Sequence, residues 1–180
     1  FYAANMPEEL GGGGLDALTM TMVERELGRT SFALQMLVHR PSNILRACND
    51  EQAERYLYPA IRGERIDCLA MTEPGAGSDL RGMATRAEAD GDDWVINGTK
   101  HVISHADVAD FTIRFAATGE EEVQGRGKRK KITVFLVDHD TPGMQVRAGY
   151  NSVSHHGYHN SILEFDNCRV PATQVLGEVH

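Results

Sequence analysis

The sequence predicts an α+β protein in which a helical N-terminal segment, residues 1–66, precedes an antiparallel β-barrel, residues 67–180. Before residue 66, apolar residues recur at helical spacing between residues that cap helices. After residue 67, apolar residues alternate in short runs separated by turn residues, without the helical crossovers of a βαβ sheet. The change in composition near residues 65–68 therefore predicts a boundary between two domains.

The composition is that of a soluble protein and excludes several classes. The chain has 180 residues, 41% of them hydrophobic and 24% charged, with a formal net charge of -8. The acidic balance argues against a nucleic acid or a membrane as partner, because both favour basic surfaces. No apolar run approaches the roughly 20 residues of a membrane span. Three widely spaced cysteines favour neither a disulfide framework nor a zinc site, so a cytoplasmic location is expected.

Helix signals begin early in the first domain. Asp16 is placed to cap a helix that ends near Gly28. Thr30 or Ser31 then starts a second helix that is apolar nearly all round, which predicts that it is buried. Its apolar residues are Phe32, Leu34, Met36, Leu37 and Val38. The glycine run 11–14, which precedes both helices, is expected to be flexible and without regular structure.

Two shorter helical elements follow in the first domain. Ser42 can cap a short turn, and Asn49 with Gln52 has the spacing of a capping box. Pro59 is expected to kink or shorten the helix that begins there, and Gly63 to end it. Apolar side chains expected to pack in cores include Met20, Met22, Met36 and Trp94.

Strand-sized runs fill the second domain. The runs 94–96 and 101–103 flank Asn97 and Gly98, which predicts a hairpin with a type I′ turn. Further strands are predicted over residues 111–117, 131–138, 144–147 and 161–165, with a turn at 141–143. Residues 119–130 carry three acids followed by basic residues, a pattern that fits a phosphate or nucleic-acid site but more often a solvated, mobile loop.

The stretch 70–79, Ala-Met-Thr-Glu-Pro-Gly-Ala-Gly-Ser-Asp, carries the clearest functional signal. Its glycines let the backbone approach a ligand closely, and its N–H groups and Ser78 hydroxyl can bind anionic or carbonyl oxygens. It is neither a Walker P-loop, since no Gly-Lys-Ser/Thr follows, nor a dinucleotide fingerprint, since the third glycine is missing. Spacing alone leaves a tight surface turn and a cofactor cradle both open.

Several motifs, in order along the chain, resemble the acyl-CoA dehydrogenase family. The central ones are residues 72–79, the Asn-Gly-Thr-Lys of 97–100, and Ile103-Ser104. Residues 6–12 resemble the early turn of the family. Residues 56–64 resemble the end of its helical region, and residues 141–143 with 165–177 its late β-domain.

This resemblance implies a flavoenzyme of three parts: an N-terminal helical domain, a middle β-barrel and a C-terminal helical bundle. The chain would hold the later part of the first domain and all of the second, while the bundle would be missing. Because the chain also opens at Phe1 and has its first methionine at Met6, we expect it to be a piece of a longer protein.

The resemblance also implies a site for FAD. The residues that would contact the cofactor are Leu69, Ala70, Met71, Thr72, Gly77, Ser78, Val102, Ile103 and Ser104. Thr72 would hydrogen-bond the edge of the flavin ring, and Ser78 would lie near the cofactor phosphate and the substrate. The family usually has Trp at the position of Val102 and Thr at that of Ser104, so an aromatic contact with the ring would be lost at Val102.

The implied reaction is α,β-desaturation of an acyl-CoA thioester in fatty acid metabolism. A carboxylate removes the α-proton while the β-hydrogen passes as hydride to the flavin. The catalytic base of the family lies in the C-terminal domain and no residue here matches it, so these 180 residues alone are predicted to be inactive. Electron-transfer flavoprotein as acceptor and a homotetrameric assembly are implied in the same way.

Several alternatives remain open at this point. Acyl-CoA oxidases, flavin monooxygenases and nitroalkane oxidases share the barrel and its flavin contacts. The acidic balance opposes a nucleic-acid-associated flavoprotein of the alkylation-response type. A β-barrel binding module without a cofactor is a further alternative. His155, His156 and His159 are expected to lie in a His-rich loop or hairpin, because their spacing does not match that of a zinc site.

Overall fold

The computed structural model describes residues 2–30, 40–125, 127–153 and 156–180. Of the buried helix predicted to begin at Thr30 or Ser31, only Thr30 is among these residues. The rest of that helix, and His155, lie outside the described residues.

The first helix, α1 (Ala17–Leu27), begins and ends where the sequence predicts. The Asp16 carboxylate accepts a hydrogen bond from the Thr19 N–H at 2.7 Å, and Gly28 caps the other end. A 3₁₀ turn, Asn43–Ala47, follows Ser42, whose hydroxyl accepts from the Ile44 N–H. The predicted caps Asp16, Gly28 and Ser42 are therefore confirmed.

The predicted capping box is also confirmed, and the helix after it changes its winding. Asn49 and Gln52 bond to each other reciprocally at the start of α2 (Asp50–Gln52), which continues as a π-helical turn, Ala53–Leu57, and as α3 (Tyr58–Ile61). Pro59 has no N–H to donate to the Arg55 carbonyl, which accepts instead from the Arg65 guanidinium at 3.1 Å. Gly63, at φ +72, lies just beyond the end of the helix.

The glycine run 11–14 has no regular structure, as predicted, but it forms a hydrogen-bonded turn where a flexible segment was expected. It follows a 3₁₀ turn, Glu8–Leu10, and its N–H groups bond to the carbonyls of Pro7, Ala3 and Met6. A Cβ at Gly12 would lie 2.2 Å from the Met6 carbonyl oxygen. The glycines are therefore needed here because two backbone segments approach each other closely.

The second part of the chain forms one eight-stranded sheet. The strands are β1 (Asp67–Ala70), β2 (Arg86–Asp90), β3 (Asp93–Ser104), β4 (Phe111–Val123), β5 (Gly127–Asp138), β6 (Met144–Asn151), β7 (His159–Pro171) and β8 (Val175–Leu176). Their order is β6-β7-β3-β2-β4-β5-β8, with β1 also paired to β4. The predicted strands at 111–117, 131–138, 144–147 and 161–165 all lie within these elements.

The sheet is mixed and curls into a half-barrel, which corrects the predicted antiparallel barrel. Both β1 and β2 run parallel to β4, and they share one of its edges. β1 pairs with the first half of β4, while β2 meets it at a single pair, Arg86 with Ala117. The other pairs are antiparallel, as the alternating runs predicted.

Asn97 and Gly98 lie inside β3 and do not form the predicted hairpin turn. The turn between β2 and β3 is at residues 91–92, where Gly91 has φ +65. Opposite Asn97–Gly98 the partner strand β7 contains one extra residue, and the Asn167 N–H donates to the Asn97 side-chain oxygen at 2.8 Å. The Asn-Gly pair therefore accommodates a β-bulge and not a chain reversal.

The described residues of the charged segment, 119–125 and 127–130, form the end of the β4–β5 hairpin, so the prediction of a loop is wrong for the paired residues. Its acidic and basic residues face each other across the hairpin: Glu120 pairs with Lys130, Glu121 with Arg129 and Glu122 with Lys128. These side chains are largely exposed, as predicted, and cross-strand pairs of opposite charge support such a ribbon.

Two apolar cores lie on opposite faces of the sheet, because successive side chains of a strand point in opposite directions. On β5, Phe135 and Val137 belong to the core among the strands, with Trp94 packed against it as predicted. Leu136 belongs to the second core, between the sheet and the helical segment. Residues that the helical segment contributes to this core include Met6, Leu45, Tyr56, Leu57, Ala60 and Ile61.

Candidate functional site

The glycine-rich segment 70–79 closes on itself in a tight turn. Glu73 and Ala76 exchange two backbone hydrogen bonds, of 2.9 and 3.1 Å. The Glu73 side chain points inward and is 3% exposed. Its carboxylate accepts from the backbone N–H groups of Ala84, at 2.5 Å, and Thr85, at 3.1 Å. A single carboxylate therefore holds this turn against the start of β2.

Lys100 on β3 completes this arrangement. Its buried ammonium group donates to Glu73 Oε1 at 2.7 Å and to the Met71 carbonyl at 3.0 Å. Burial raises the pKa of Glu73, but hydrogen bonds from Lys100, Thr85 and Ala84 outweigh it and hold the pKa below its ordinary value. Burial lowers the pKa of Lys100 to about 8, in spite of the opposing effect of Glu73. The ion pair therefore links the glycine-rich segment to β3, the strand that contains the Asn-Gly-Thr-Lys motif of residues 97–100.

β3 contains an extra residue next to Lys100. Lys100 pairs with Leu163 and Ile103 with Ser161, so three steps along β3 match two along β7. Lys100 and Ile103 both point inward, and Val102 adopts a left-handed backbone, at φ +55, with its side chain 46% exposed. Since a β-branched residue rarely adopts positive φ, this bulge is strained, and such strain is frequent at functional sites.

A cleft of about 830 Å³ lies beside this bulge, between α1 and the sheet. Leu69, Val102, Ser104 and His105 line one wall, and His105 is a second left-handed residue, at φ +58. The facing stripe of α1 lines the other wall. Its residues are Ala17, Met20, Thr21 and Glu24. None of the α1 side chains is buried.

The structure brings together three of the nine predicted cofactor residues in this cleft, namely Leu69, Val102 and Ser104. Ala70 and Ile103 are buried behind the wall. Met71 and Thr72 are half-buried, and the Thr72 carbonyl accepts from the His101 N–H at 3.0 Å. Gly77 and Ser78 are exposed on the glycine-rich turn. No observation tests whether any of these residues binds a cofactor, so their assignment stays a prediction.

The glycines of the turn leave room for a ligand. A Cβ at Gly75 or at Gly77 would meet no atom of the described residues within 4 Å, and neither residue has a positive φ. The packing of the chain around these glycines therefore does not require them. Close approach by a bound molecule would still explain why glycine occurs at both positions.

Met22 on α1 is 61% exposed, which contradicts its predicted place in a core. Met20, two positions earlier on the same helix, is half-buried and lines the cleft. Met20 and Met22 are two residues apart and so point to nearly opposite sides of α1, which is why only Met20 reaches the cleft.

His159 and His101 each contact one neighbouring side chain. His159, at the start of β7, pairs with Asp107 at 2.7 Å, and His101 contacts the Tyr150 hydroxyl at 3.3 Å. Among the described residues no three His, Cys, Asp or Glu side chains are arranged to hold a metal ion. Cys48, Cys68 and Cys168 carry free thiols.

Two family models match the sequence. Residues 68–168 match the acyl-CoA dehydrogenase middle domain, and residues 1–64 match the acyl-CoA dehydrogenase N-terminal domain. The chain belongs to the acyl-CoA dehydrogenase family. The resemblance inferred from the motifs is thereby confirmed.

Individual acyl-CoA dehydrogenases match along nearly the whole chain. The human mitochondrial short-chain specific acyl-CoA dehydrogenase is 36% identical over 181 residues, which cover 98% of this chain and 43% of that protein. The structure of butyryl-CoA dehydrogenase from Megasphaera elsdenii matches with a TM-score of 0.83 at 27% identity, covering 98% of this chain and 47% of that one. Glutaryl-CoA dehydrogenase from Mycobacterium smegmatis, in complex with FADH2, gives a TM-score of 0.81 at 31% identity, with 93% and 42% covered.

The chain spans less than half the length of these acyl-CoA dehydrogenases. The similarity therefore establishes the family and the fold of the shared part. Within the described residues, no helix is both long enough and apolar enough to cross a membrane.

The sequence analysis missed two pairs of residues at this candidate site. Glu73 and Lys100 each lie in one of the two central motifs, where the sequence indicates no role for either, although the two form one buried pair. A lysine between inward-pointing residues of an apolar strand was the available signal. Glu24 and Arg40, which form an ion pair in the cleft, were also missed, because the two residues are distant in sequence.

Proposed function

We propose that the protein containing this chain is an FAD-dependent acyl-CoA dehydrogenase that desaturates the α,β bond of an acyl-CoA thioester. The observation that carries this proposal is the cleft between α1 and the strained bulge of β3, where Leu69, Val102 and Ser104 are brought together. Its volume of about 830 Å³ is within the range of small-molecule and cofactor sites.

The residues present fit a flavin. Leu69 and Val102 offer exposed apolar surface to the cleft, and Ser104 offers a hydroxyl whose proton is donated to Asn160 at 3.4 Å. Gly75 and Gly77 leave open space beside the turn. We therefore assign FAD to Leu69, Ala70, Met71, Thr72, Gly77, Ser78, Val102, Ile103 and Ser104, and substrate contact to Ser78. When bound there, FAD would supply the acceptor for the β-hydrogen.

The contribution of this chain to such a reaction is placement and exclusion of water. The Glu73–Lys100 pair holds the glycine-rich turn and β3 in one geometry, so that the groups of both can act on the same ligand. Leu69 and Val102 keep the inner wall apolar, which strengthens electrostatic interactions in the closed site. We assign the catalytic base to no residue among these 180, and we expect the chain by itself not to turn over acyl-CoA.

The proposal is tested by cofactor content. The purified gene product is expected to show flavin absorbance and to release FAD on denaturation. Val102→Asp places a charge on the apolar wall and should lower FAD affinity at least roughly tenfold, because the carboxylate would be desolvated by the ring. Val153→Asp is the matched control, since Val153 is 93% exposed and does not line the cleft. Absence of FAD from the folded protein, or equal effects of both variants, would contradict the proposal.

The electron acceptor is a separate part of the proposal. Turnover of acyl-CoA by the full-length gene product is expected with electron-transfer flavoprotein or an artificial acceptor, and not with oxygen. Rapid turnover with oxygen alone would instead identify an oxidase of the same superfamily.

A further inference from the structure

An ion pair lies in the wall of the cleft. Glu24 on α1 is bonded to the guanidinium of Arg40, and both residues line the cleft. Their side chains are 39% and 27% exposed, so each is partly withdrawn from bulk water. Other members of the same wall are apolar, among them Leu15, Ala17 and Met20. The pair is thus set into a surface that a bound molecule would cover.

The position of the pair follows from the helix. Ala17, Met20, Thr21 and Glu24 are spaced by three, one and three residues, and therefore share one face of α1. At 1.5 Å per residue, this face runs for roughly 10 Å along the cleft. A ligand that lies along it would meet apolar and small side chains and also the carboxylate and guanidinium.

The cleft is lined by a second carboxylate besides that of Glu24. Asp67 also lines the cleft, where its carboxylate accepts from the Ser42 N–H at 3.4 Å. The described residues of the wall thus include two carboxylates, of Glu24 and Asp67, and one guanidinium, of Arg40. A further carboxylate brought into the cleft would be repelled, whereas a neutral group that both donates and accepts hydrogen bonds would not be.

The pair discriminates between ligands through desolvation. A plain alkyl chain placed against it would remove water from two charged groups and return no hydrogen bond. A hydroxyl group in the same place can donate to Glu24 and accept from Arg40. Sites built around such polar groups reject analogues that lack the matching hydroxyl far more strongly than apolar pockets distinguish chain lengths.

We propose that this cleft selects acyl groups that carry a neutral oxygen substituent, such as a hydroxyl, over plain alkyl acyl groups of the same size, and that the Glu24–Arg40 pair is the selecting element. This inference rests on the proposed acyl-CoA site. It concerns the part of that site formed by α1 and Arg40.

The test compares pairs of thioesters of equal size. Binding to the FAD-loaded, full-length gene product is measured by isothermal titration calorimetry. One pair is ω-hydroxybutyryl-CoA and pentanoyl-CoA, and the other is ω-hydroxyhexanoyl-CoA and heptanoyl-CoA. At one or both lengths the hydroxyacyl thioester is expected to bind at least roughly tenfold more tightly. Glutaryl-CoA, with a carboxylate in place of the hydroxyl, is expected to bind more weakly than the preferred hydroxyacyl thioester.

A double variant assigns the preference to the pair. Glu24→Met with Arg40→Met removes both charges together and leaves neither one unpaired, and it should abolish or reverse the preference. The control is Glu26→Met with Arg29→Met, a second ion pair near the end of α1, with side chains 63% and 72% exposed, that does not line the cleft. This control should keep the preference of the unmodified protein.

The outcomes separate the two proposals. Binding of all the thioesters with no preference for a hydroxyl, or a preference that the Glu24–Arg40 double variant retains, overturns the inference and leaves the proposed function intact. Failure of every acyl-CoA to bind overturns the proposed function together with the inference. If the double variant does not fold, the comparison of thioesters on the unmodified protein still decides whether the preference exists.

Discussion

Glu73 and Lys100 are almost completely withdrawn from water, and each neutralises the other. Removing one partner leaves a buried charge without compensation, which costs far more than the pair contributes as a whole. Lys100→Met and Glu73→Gln should each lower the free energy of unfolding by about 3–5 kcal/mol. The double variant should lower the free energy of unfolding by clearly less than the sum of the two single variants. Urea denaturation of the four proteins measures the coupling, and strict additivity would show that the pair does not form.

The same pair predicts an acid sensitivity. The pKa of Glu73 is held below its ordinary value in the folded state, so the unfolded chain binds a proton at this carboxyl more readily. The stability that Glu73 contributes is therefore complete above its unfolded pKa, near 4.5, and is lost as the pH falls through the lower folded pKa. Stability measured between neutral pH and about pH 3 should fall less steeply in Glu73→Gln. Equal slopes for both proteins would contradict this role of Glu73.

Arg114 on β4 is a buried cation of a different kind. It is fully buried, its guanidinium nitrogens have no hydrogen-bond partner among the described residues, and it lies 3.1 Å above the Phe165 ring centre. Burial lowers its pKa, although Cys168 and Glu73 act in the opposite direction. Arg114→Met replaces the guanidinium by a flexible, unbranched apolar side chain and removes the charge, so it should stabilise the protein by about 1–4 kcal/mol. Arg46→Met, at an exposed position, should change stability by less than about 0.5 kcal/mol.

At the scale of the element, β3 shows how a strong local signal can mislead. Asn-Gly favours a hairpin turn, but Gly98 here has φ +142 and packs against the backbone of Thr85. A Cβ at Gly98 would lie 2.7 Å from the Thr85 Cα, whereas a Cβ at Gly91 would meet nothing within 4 Å. The bulge at Asn97–Gly98 therefore depends on a tertiary contact, the close packing of Gly98 against Thr85.

A comparison of two alanine variants tests this placement. Gly98→Ala should lower the free energy of unfolding by more than about 3 kcal/mol, because the backbone of Thr85 has to move. Gly91→Ala should cost only about 1–2 kcal/mol, the penalty of a left-handed alanine in an open turn. Thermal denaturation of both variants shows which substitution destabilises the protein more. If Gly91→Ala were the more damaging, Gly98 would not occupy a close contact.

The β4–β5 hairpin is the second element that local reasoning misjudged. Three acids followed by basic residues look like a solvated loop when they are read along the chain. Across the hairpin they form pairs, such as Glu121 with Arg129, and each exposed pair contributes at most about 1 kcal/mol. The pairing depends on the register that the apolar parts of β4 and β5 impose, as in Ile113 opposite Leu136.

At the scale of the whole molecule, Asp138 joins the helical segment to the sheet. Its carboxylate, at the end of β5, accepts from Arg55 at 2.5 Å, from Arg65 at 2.6 Å and from the Tyr56 hydroxyl at 3.1 Å. Below this cluster, the second core combines Tyr56 with Phe111 of the sheet, whose ring centres are 4.9 Å apart. The two predicted domains therefore share a core, and their division stays a prediction.

Shared packing predicts joint unfolding. Far-UV circular dichroism reports on the helices, and the fluorescence of the single tryptophan, Trp94, reports on the core among the strands. The two signals should follow one transition. Asp138→Ala removes the acceptor of three donors and should lower stability by about 2–4 kcal/mol in both signals together. Two separated transitions in the unmodified protein would show that the helical segment and the sheet unfold independently.

Local features of the chain could be predicted because they depend on a few neighbouring residues. Asp16 and the Asn49–Gln52 box bond to N–H groups within three residues, so their sequence context contains both partners. Strand runs such as 131–138 follow from alternation alone. The assignment of Leu69, Val102 and Ser104 to a cofactor follows from the resemblance of their motifs to a family and stays a prediction, because spacing alone could not provide it.

The sequence by itself determined the helix caps, the strand-rich second half, the family and the two motifs that meet at the site. Only the tertiary structure decided that the sheet is mixed, that Asn97–Gly98 lies inside a strand, that Glu73 meets Lys100 and that Glu24 meets Arg40 across a cleft. The physical reason is the range of the interactions. Caps and alternation are satisfied within a few residues, whereas buried charges and bulges are tolerated only when a distant segment supplies the partner or the space.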